Sequence, residues 1–171
     1  MAILKSINSI NFRNFKNLDL SFDEKLNIFF GQNGFQVSKD IKYYGKGFFL
    51  LEGTLIPESL KENRYDRLPI SYKDIVRKPV WDLSKSSAGM SIRFISNSKS
   101  INVKWKVLND FKMNHMAETG IKGIDLYFKN NDNWQYINTG LPVGIINESC
   151  LIDNMSKKMR EFKIFLPVKK P

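Results

Sequence analysis

Histidine occurs once in this chain, at His115, and cysteine once, at Cys150. A lone cysteine excludes a disulfide within the chain and a cysteine-based zinc site. A lone histidine leaves no second imidazole for a metal. Cys150 is expected as a small buried hydrophobe. No run approaches the eighteen or more apolar residues of a spanning helix. Residues 1–30 lack the basic start, apolar middle and small-residue cleavage site of a secretory signal, so the chain as written reads as cytoplasmic. Helical periodicity is scarce, and "YKDIVRK" (Tyr72 to Lys78) makes one short turn at most. There is no internal repeat and no low-complexity tract.

Period-two alternation is abundant. Leu18, Leu20 and Phe22 alternate with Asp19 and Ser21, and Leu26, Ile28 and Phe30 with Asn27 and Phe29. The same pattern runs through Ile92–Phe94, Ile101–Val107, Ile124–Phe128 and Phe162–Leu166. Each such stretch predicts a strand with one buried face and one wet face. Asn97-Ser98-Lys99-Ser100, Lys129 to Asn133 and Thr139-Gly140-Leu141-Pro142 supply turn residues between them. With 42% apolar residues in 171, there is enough to fill one domain core. Short strands at regular spacing predict a mainly β fold, an antiparallel sandwich.

Acidic residues are the minority, 17 against 27 basic, for a net charge of +10. The densest basic stretch is Met155 to Pro171. The other lysines are dispersed, and no aromatic-and-basic platform of the RNA-binding kind stands out, so a solvated basic surface is expected and nucleic acid is not.

"GQNGFQVSK", residues 31–39, has the outline of a phosphate-binding loop. Gly31 takes the first glycine position and Ser38 the hydroxyl position, with Gly34 between them. Gln36 stands where the pattern requires the second glycine and Val37 where it requires the lysine that reaches the outer phosphates. This degenerate P-loop predicts no nucleotide cofactor. Residues 1–34, through "INFRNFKNLDLSF" and "LNIFFGQNG", resemble the N-terminus of recombination ATPases of the RecF and SMC kind. The likeness stops where the nucleotide chemistry would begin. The organisation expected is an incomplete N-terminal β segment at 1–34, appended as a hairpin, then a junction at 35–47 and a main domain at 48–171.

That main domain carries "YDRLP" (Tyr65 to Pro69), "VWDLSKSSAGMSIRF" (Val80 to Phe94), "VKWKVLNDFKMNHMAETGIKGIDLY" (Val103 to Tyr127) and "REFKIFLP" (Arg160 to Pro167). In these it resembles the N-terminal β-sandwich domain that precedes the catalytic domain in SGNH/GDSL-type hydrolases. The resemblance implies a jelly-roll-like accessory module of enzymes that cut esters on carbohydrates, usually outside the cytoplasm. It also implies further strands beyond Pro171. Such a hydrolase uses a nucleophilic serine in a Gly-Asp-Ser block and a late Asp-x-x-His pair. Gly-Asp-Ser does not occur, and Lys112 stands three residues before the only histidine. The expected function is therefore a non-catalytic accessory module whose partners are a separately encoded SGNH catalytic domain or carbohydrate. The alternative is a nucleotide- or DNA-associated fragment of the ATPase kind.

Candidate contact residues follow from "NDFKMNHMAETG", a polar loop between strands. Asn114, His115 and Thr119 are candidates for facing a catalytic domain or a sugar. Tyr65, Arg67 and Trp81 are candidates at a domain edge, with Asp66 and Arg67 read as a surface ion pair. Trp105 lies on the apolar face of its strand and is assigned to the core, whereas Trp81 and Trp134 are open to sugar stacking. Gly120 and Gly123 are read as turn or bulge glycines.

Overall fold

The computed structural model describes residues 26–31, 42–110 and 112–168. Nine strands are laid down in chain order: β1 (Leu26–Gly31), β2 (Lys42–Tyr44), β3 (Leu50–Glu52), β4 (Ser91–Ser96), β5 (Ser100–Lys106), β6 (Ile124–Asn130), β7 (Asn133–Gly140), β8 (Ile146–Ile152) and β9 (Arg160–Phe165). Among the described residues two short α-helices interrupt them, α1 (Lys78–Ser84) and α2 (Glu118–Lys122), with three single 3-10 turns at Lys46–Phe48, Glu58–Leu60 and Ile70–Tyr72. The strands form two antiparallel sheets, a four-stranded one in the order β2-β1-β5-β8 and a five-stranded one in the order β3-β4-β9-β6-β7. Consecutive strands β4 and β5 lie in different sheets, as do β8 and β9. Yet β4 pairs with β9 and β5 with β8. One ribbon thus winds beside the other across both layers, the jelly-roll manner of closing a sandwich.

Alternation explains the layers. Ile92 and Phe94 of β4, Ile101, Val103 and Trp105 of β5, Ile124 and Leu126 of β6, Leu151 of β8, and Phe162 and Ile164 of β9 all point into one core. Each such side chain contributes about 1.5–3 kcal/mol by burial. Phe94 stacks on Phe162 with ring centroids 5.5 Å apart. The outward positions of the five-stranded sheet are charged and tied across strands. Arg93 bonds Glu161 and Glu52, Lys163 sits 2.8 Å from Glu52, and the Lys163 ammonium lies 4.5 Å from the centre of the Trp134 ring. Burial raises the Glu52 pKa, but the bonds from Lys163 and Arg93 outweigh it and hold the carboxyl below its usual range.

Several expectations are corrected. β1 pairs with β5 over Leu26↔Trp105 to Gly31↔Ser100, and with β2 over Ile28↔Tyr44 to Phe30↔Lys42. Both edges of β1 are therefore occupied, and it is a member of the sheet; the partner strand expected at Asn17–Phe22 lies outside the described residues. The strands β2, β3, β7 and β8 have weak alternation and were not foreseen. Thr139-Gly140, read as a turn, closes β7. There Gly140 lets Trp105 pass close by, since a Cβ would stand 2.9 Å from the indole ring and 2.8 Å from Ile124. The segment after Tyr72 makes the short turn expected, but the helix itself, α1, starts at Lys78, with Pro79 in its first turn where no backbone N–H is needed. Gly120 is helical, within α2. Cys150 is exposed on β8, because the inward positions of that strand go to Leu151 and Asn147.

Candidate functional site

The two ends of the sandwich differ. At one, the strands are joined by 97–99, 131–132 and 153–159, short polar links in which Asn131 (φ 54) and Asn154 (φ 58) take the left-handed turns. The registers Glu52↔Ser91, Ser91↔Phe165, Asp125↔Phe165, Ile124↔Gly140 and Lys106↔Ile146 place three longer connections, and the exit of β9, at the opposite end. Here lie the excursion 53–90, the loop 107–123 with α2, and the loop 141–145.

Each of these three connections is held by a buried polar side chain. In the excursion, Asp66 is 1% exposed and takes the Lys85 ammonium at 2.6 Å. It also accepts the Asn63 backbone N–H at 2.9 Å. Lys85 reaches Glu62 as well, at 2.6 Å, and lies 4.0 Å from the centre of the Trp81 ring. Hydrogen bonds from Lys73 and Lys85 draw the Glu62 carboxyl down to about 2. The base of the excursion is clasped to the exit of β9: the Leu166 N–H donates to the Met90 carbonyl at 3.1 Å, and the Ser87 hydroxyl to the Pro167 carbonyl at 2.8 Å.

In the second connection the anchor is Lys122, 2% exposed, with its ammonium on Asp110 and 2.8 Å from Glu118. These carboxylates, Asp110 first, raise its pKa. Lys112 closes on Glu118 at 2.7 Å, and the hydrogen bonds from Lys112 and Lys122 hold the Glu118 carboxyl at about 2. The Trp105 indole N–H donates to the Lys122 carbonyl at 2.8 Å, tying the loop to β5. Directly after it comes Gly123-Ile124-Asp125-Leu126-Tyr127. A Cβ on Gly123 would stand 2.3 Å from the Thr119 carbonyl oxygen and 3.1 Å from that of Gly140. Ile124 and Leu126 enter the core, and Asp125 accepts from the Thr139 hydroxyl at 2.5 Å. Tyr127 packs edge-on against Tyr136 and Phe165.

In the third connection Asn147, 1% exposed, accepts the N–H groups of Val143 at 2.7 Å and Gly144 at 3.1 Å, and donates to the Gly144 carbonyl at 3.0 Å. Sequence reading missed Lys122 and Asn147. Neither carried a local signal, since Lys122 falls in a short helix and Asn147 in a strand of weak alternation.

Asn114, His115 and Thr119 share the second connection and are exposed. His115 Nδ1 lies 3.0 Å from Asn114 Oδ1, while Thr119 sits on α2 with its carbonyl accepting the Gly123 N–H. Arg67 is exposed and donates to the Leu83 carbonyl at 2.7 Å. Tyr65 is a core residue at 4% exposure, and Trp81 is 8% exposed beneath Lys85, so neither offers a stacking face. The surface Asp66–Arg67 pair is replaced by the buried Asp66–Lys85 pair, because Arg67 turns outward toward α1. Gly31 is a ladder residue of β1 opposite Ser100; Gly34 and Ser38 lie outside the described residues. Among the described residues, no group of three His, Cys, Asp or Glu is placed to hold a metal ion.

Two antiparallel sheets, one loop-rich end and a charged outer sheet face define a β-sandwich module. Comparison with known families assigns it further: residues 41–170 match the family described as GxDLY, the N-terminus of SGNH-hydrolase-type esterases, and the chain belongs to that family. The motif of the family's name stands here as Gly123 to Tyr127. A solved structure described as a GDSL-like lipase from Bacteroides ovatus ATCC 8483 is similar with 30% identity and a TM-score of 0.65, over 71% of this chain and 35% of that one. The chain thus corresponds to about a third of the lipase's length. No curated protein matches it.

Proposed function

We propose that this chain is the non-catalytic β-sandwich module of an SGNH/GDSL-type esterase acting on carbohydrate esters. It works with a hydrolase domain, carried on the same chain in relatives or supplied by a separate one. The observation that carries the reading is the match of residues 41–170 to the N-terminal region of such esterases, with the similar lipase extending well beyond the shared part. The chemistry of the residues agrees. Among the described residues, the single imidazole is hydrogen-bonded to an amide oxygen, Asn114 Oδ1. Ser87, of the "SKSSAGMS" segment, is fully buried with its hydroxyl committed to Pro167.

The test is hydrolysis of p-nitrophenyl acetate by the purified chain. The rate expected is that of the buffer blank. Turnover that is abolished by His115→Ala would overturn the reading, because it would make this histidine a working base.

A further inference from the structure

Resting on that reading, we propose that the loop-rich end of the sandwich is the surface on which the hydrolase domain docks. The contact is made by the exposed apolar side chains of the excursion and of the 141–145 loop, on either side of the exit of β9.

Three observations converge on this end. The first is apolar exposure. Leu55 (102%), Ile75 (77%) and Val143 (85%) are open to solvent, with Ile70, Leu83 and Leu141 beside them in the same connections. Exposed apolar side chains carried on the connections of one end offer the apolar contact that an interaction surface uses. Among the described residues, the links 97–99, 131–132 and 153–159 at the opposite end carry Met159 as their large exposed hydrophobe.

The second observation is order. These side chains are borne on connections fixed by Asp66–Lys85 and by Asn147. The entropic cost of arranging the surface is therefore met within the free module, and docking has less to spend on it.

The third is position. In the order β3-β4-β9-β6-β7 the strand β9 is central, so the chain leaves the sheet between the excursion, above β3 and β4, and the 141–145 loop, beyond β7. In the family this module is N-terminal to the hydrolase. A domain that follows Pro167 emerges between the two apolar patches, and the clasp of Ser87 and Met90 on Leu166 and Pro167 fixes the direction in which it emerges.

The experiment fuses the full chain, through Pro171, to the part of the Bacteroides ovatus GDSL-like lipase outside the shared region. Amide exchange and calorimetry of the fusion are compared with those of the chain alone. Docking at this end predicts that exchange in 70–83 and 141–145 slows by about tenfold or more, with one unfolding transition. Ile75→Asp with Val143→Asp should then restore fast exchange and split the transition, while Met159→Asp at the far end leaves both unchanged. The aspartates stand at solvent-exposed sites, so the melting temperature of the unfused double variant should stay within about 2 °C of the unaltered chain, which separates lost docking from lost folding. Slowed exchange confined to another face overturns this docking surface and leaves the accessory reading intact. Two independent transitions with no slowed exchange anywhere overturn docking altogether, while the accessory reading stands or falls by the hydrolysis test.

Discussion

The indole of Trp105 and the backbone of Lys122 are joined by a 2.8 Å hydrogen bond that fastens α2 to β5. Trp105 is thus a core side chain and the hinge pin of the loop that carries Asn114 and His115. In Trp105→Phe the Lys122 carbonyl loses its donor in a buried setting, and the smaller ring leaves space beside Gly140. The expected loss is about 2–4 kcal/mol in urea unfolding.

Lys122→Met tests the other end of the same residue. The replacement keeps most of the side-chain volume but removes the ammonium from Asp110 and Glu118, both of which reach solvent and can rehydrate. Replacing a buried ion with an apolar side chain of similar size is often near neutral, so global stability should change by less than about 1.5 kcal/mol. Amide exchange over 108–122 should nonetheless accelerate, because the loop loses its tie. Equal loss of protection across the whole sandwich would contradict this local role.

The Glu118 and Glu62 carboxyls, each held at about 2, give the module an acid limit. Their pKa is lower folded than unfolded, where a glutamate titrates near about 4.3. The stability they contribute is present above that value and is lost as pH falls from about 5 toward 2. Glu118→Gln and Glu62→Gln should each flatten the dependence of melting temperature on pH in that window. High salt should weaken the effect, since both groups face solvent.

Gly123→Ala places a methyl group 2.3 Å from a backbone oxygen that cannot easily move. The cost expected is about 1–3 kcal/mol or more, read from thermal or chemical unfolding. Gly144→Ala is the control, as nothing lies within 4 Å of its added Cβ and its change should stay within about 0.5 kcal/mol.

Removing residues 1–34 takes away β1, the strand between β2 and β5. The N–H and C=O groups of Ser100–Lys106 then lose their partners along one edge, an invitation to pair with another chain. The truncated protein should aggregate or unfold without cooperativity. A monomer with an unchanged melting temperature would show that β1 contributes nothing to the sandwich.

The strands whose alternation is strong, β4, β5, β6 and β9, were legible in the sequence because a half-buried strand must place apolar residues at every second position. Their motifs also carried the family resemblance, and the solitary histidine already argued against a hydrolase triad. Other features depend on what lies opposite. β7 and β8 have mixed faces, and Gly140 reads as a turn until Trp105 is seen against it. Lys122, Asp66 and Asn147 are polar residues that composition assigns to the surface. They are buried because their partners meet them when the loops close: Asp110 and Lys85 from well along the chain, and for Asn147 the backbone of 143–144 in the loop just before it. Which connections share an end with the exit of β9 is likewise a matter of strand pairing, set by long-range register and not by any local pattern. The sequence alone thus determined the β class and its family, while the tertiary structure decided where the loops gather and which side chains they leave for a partner.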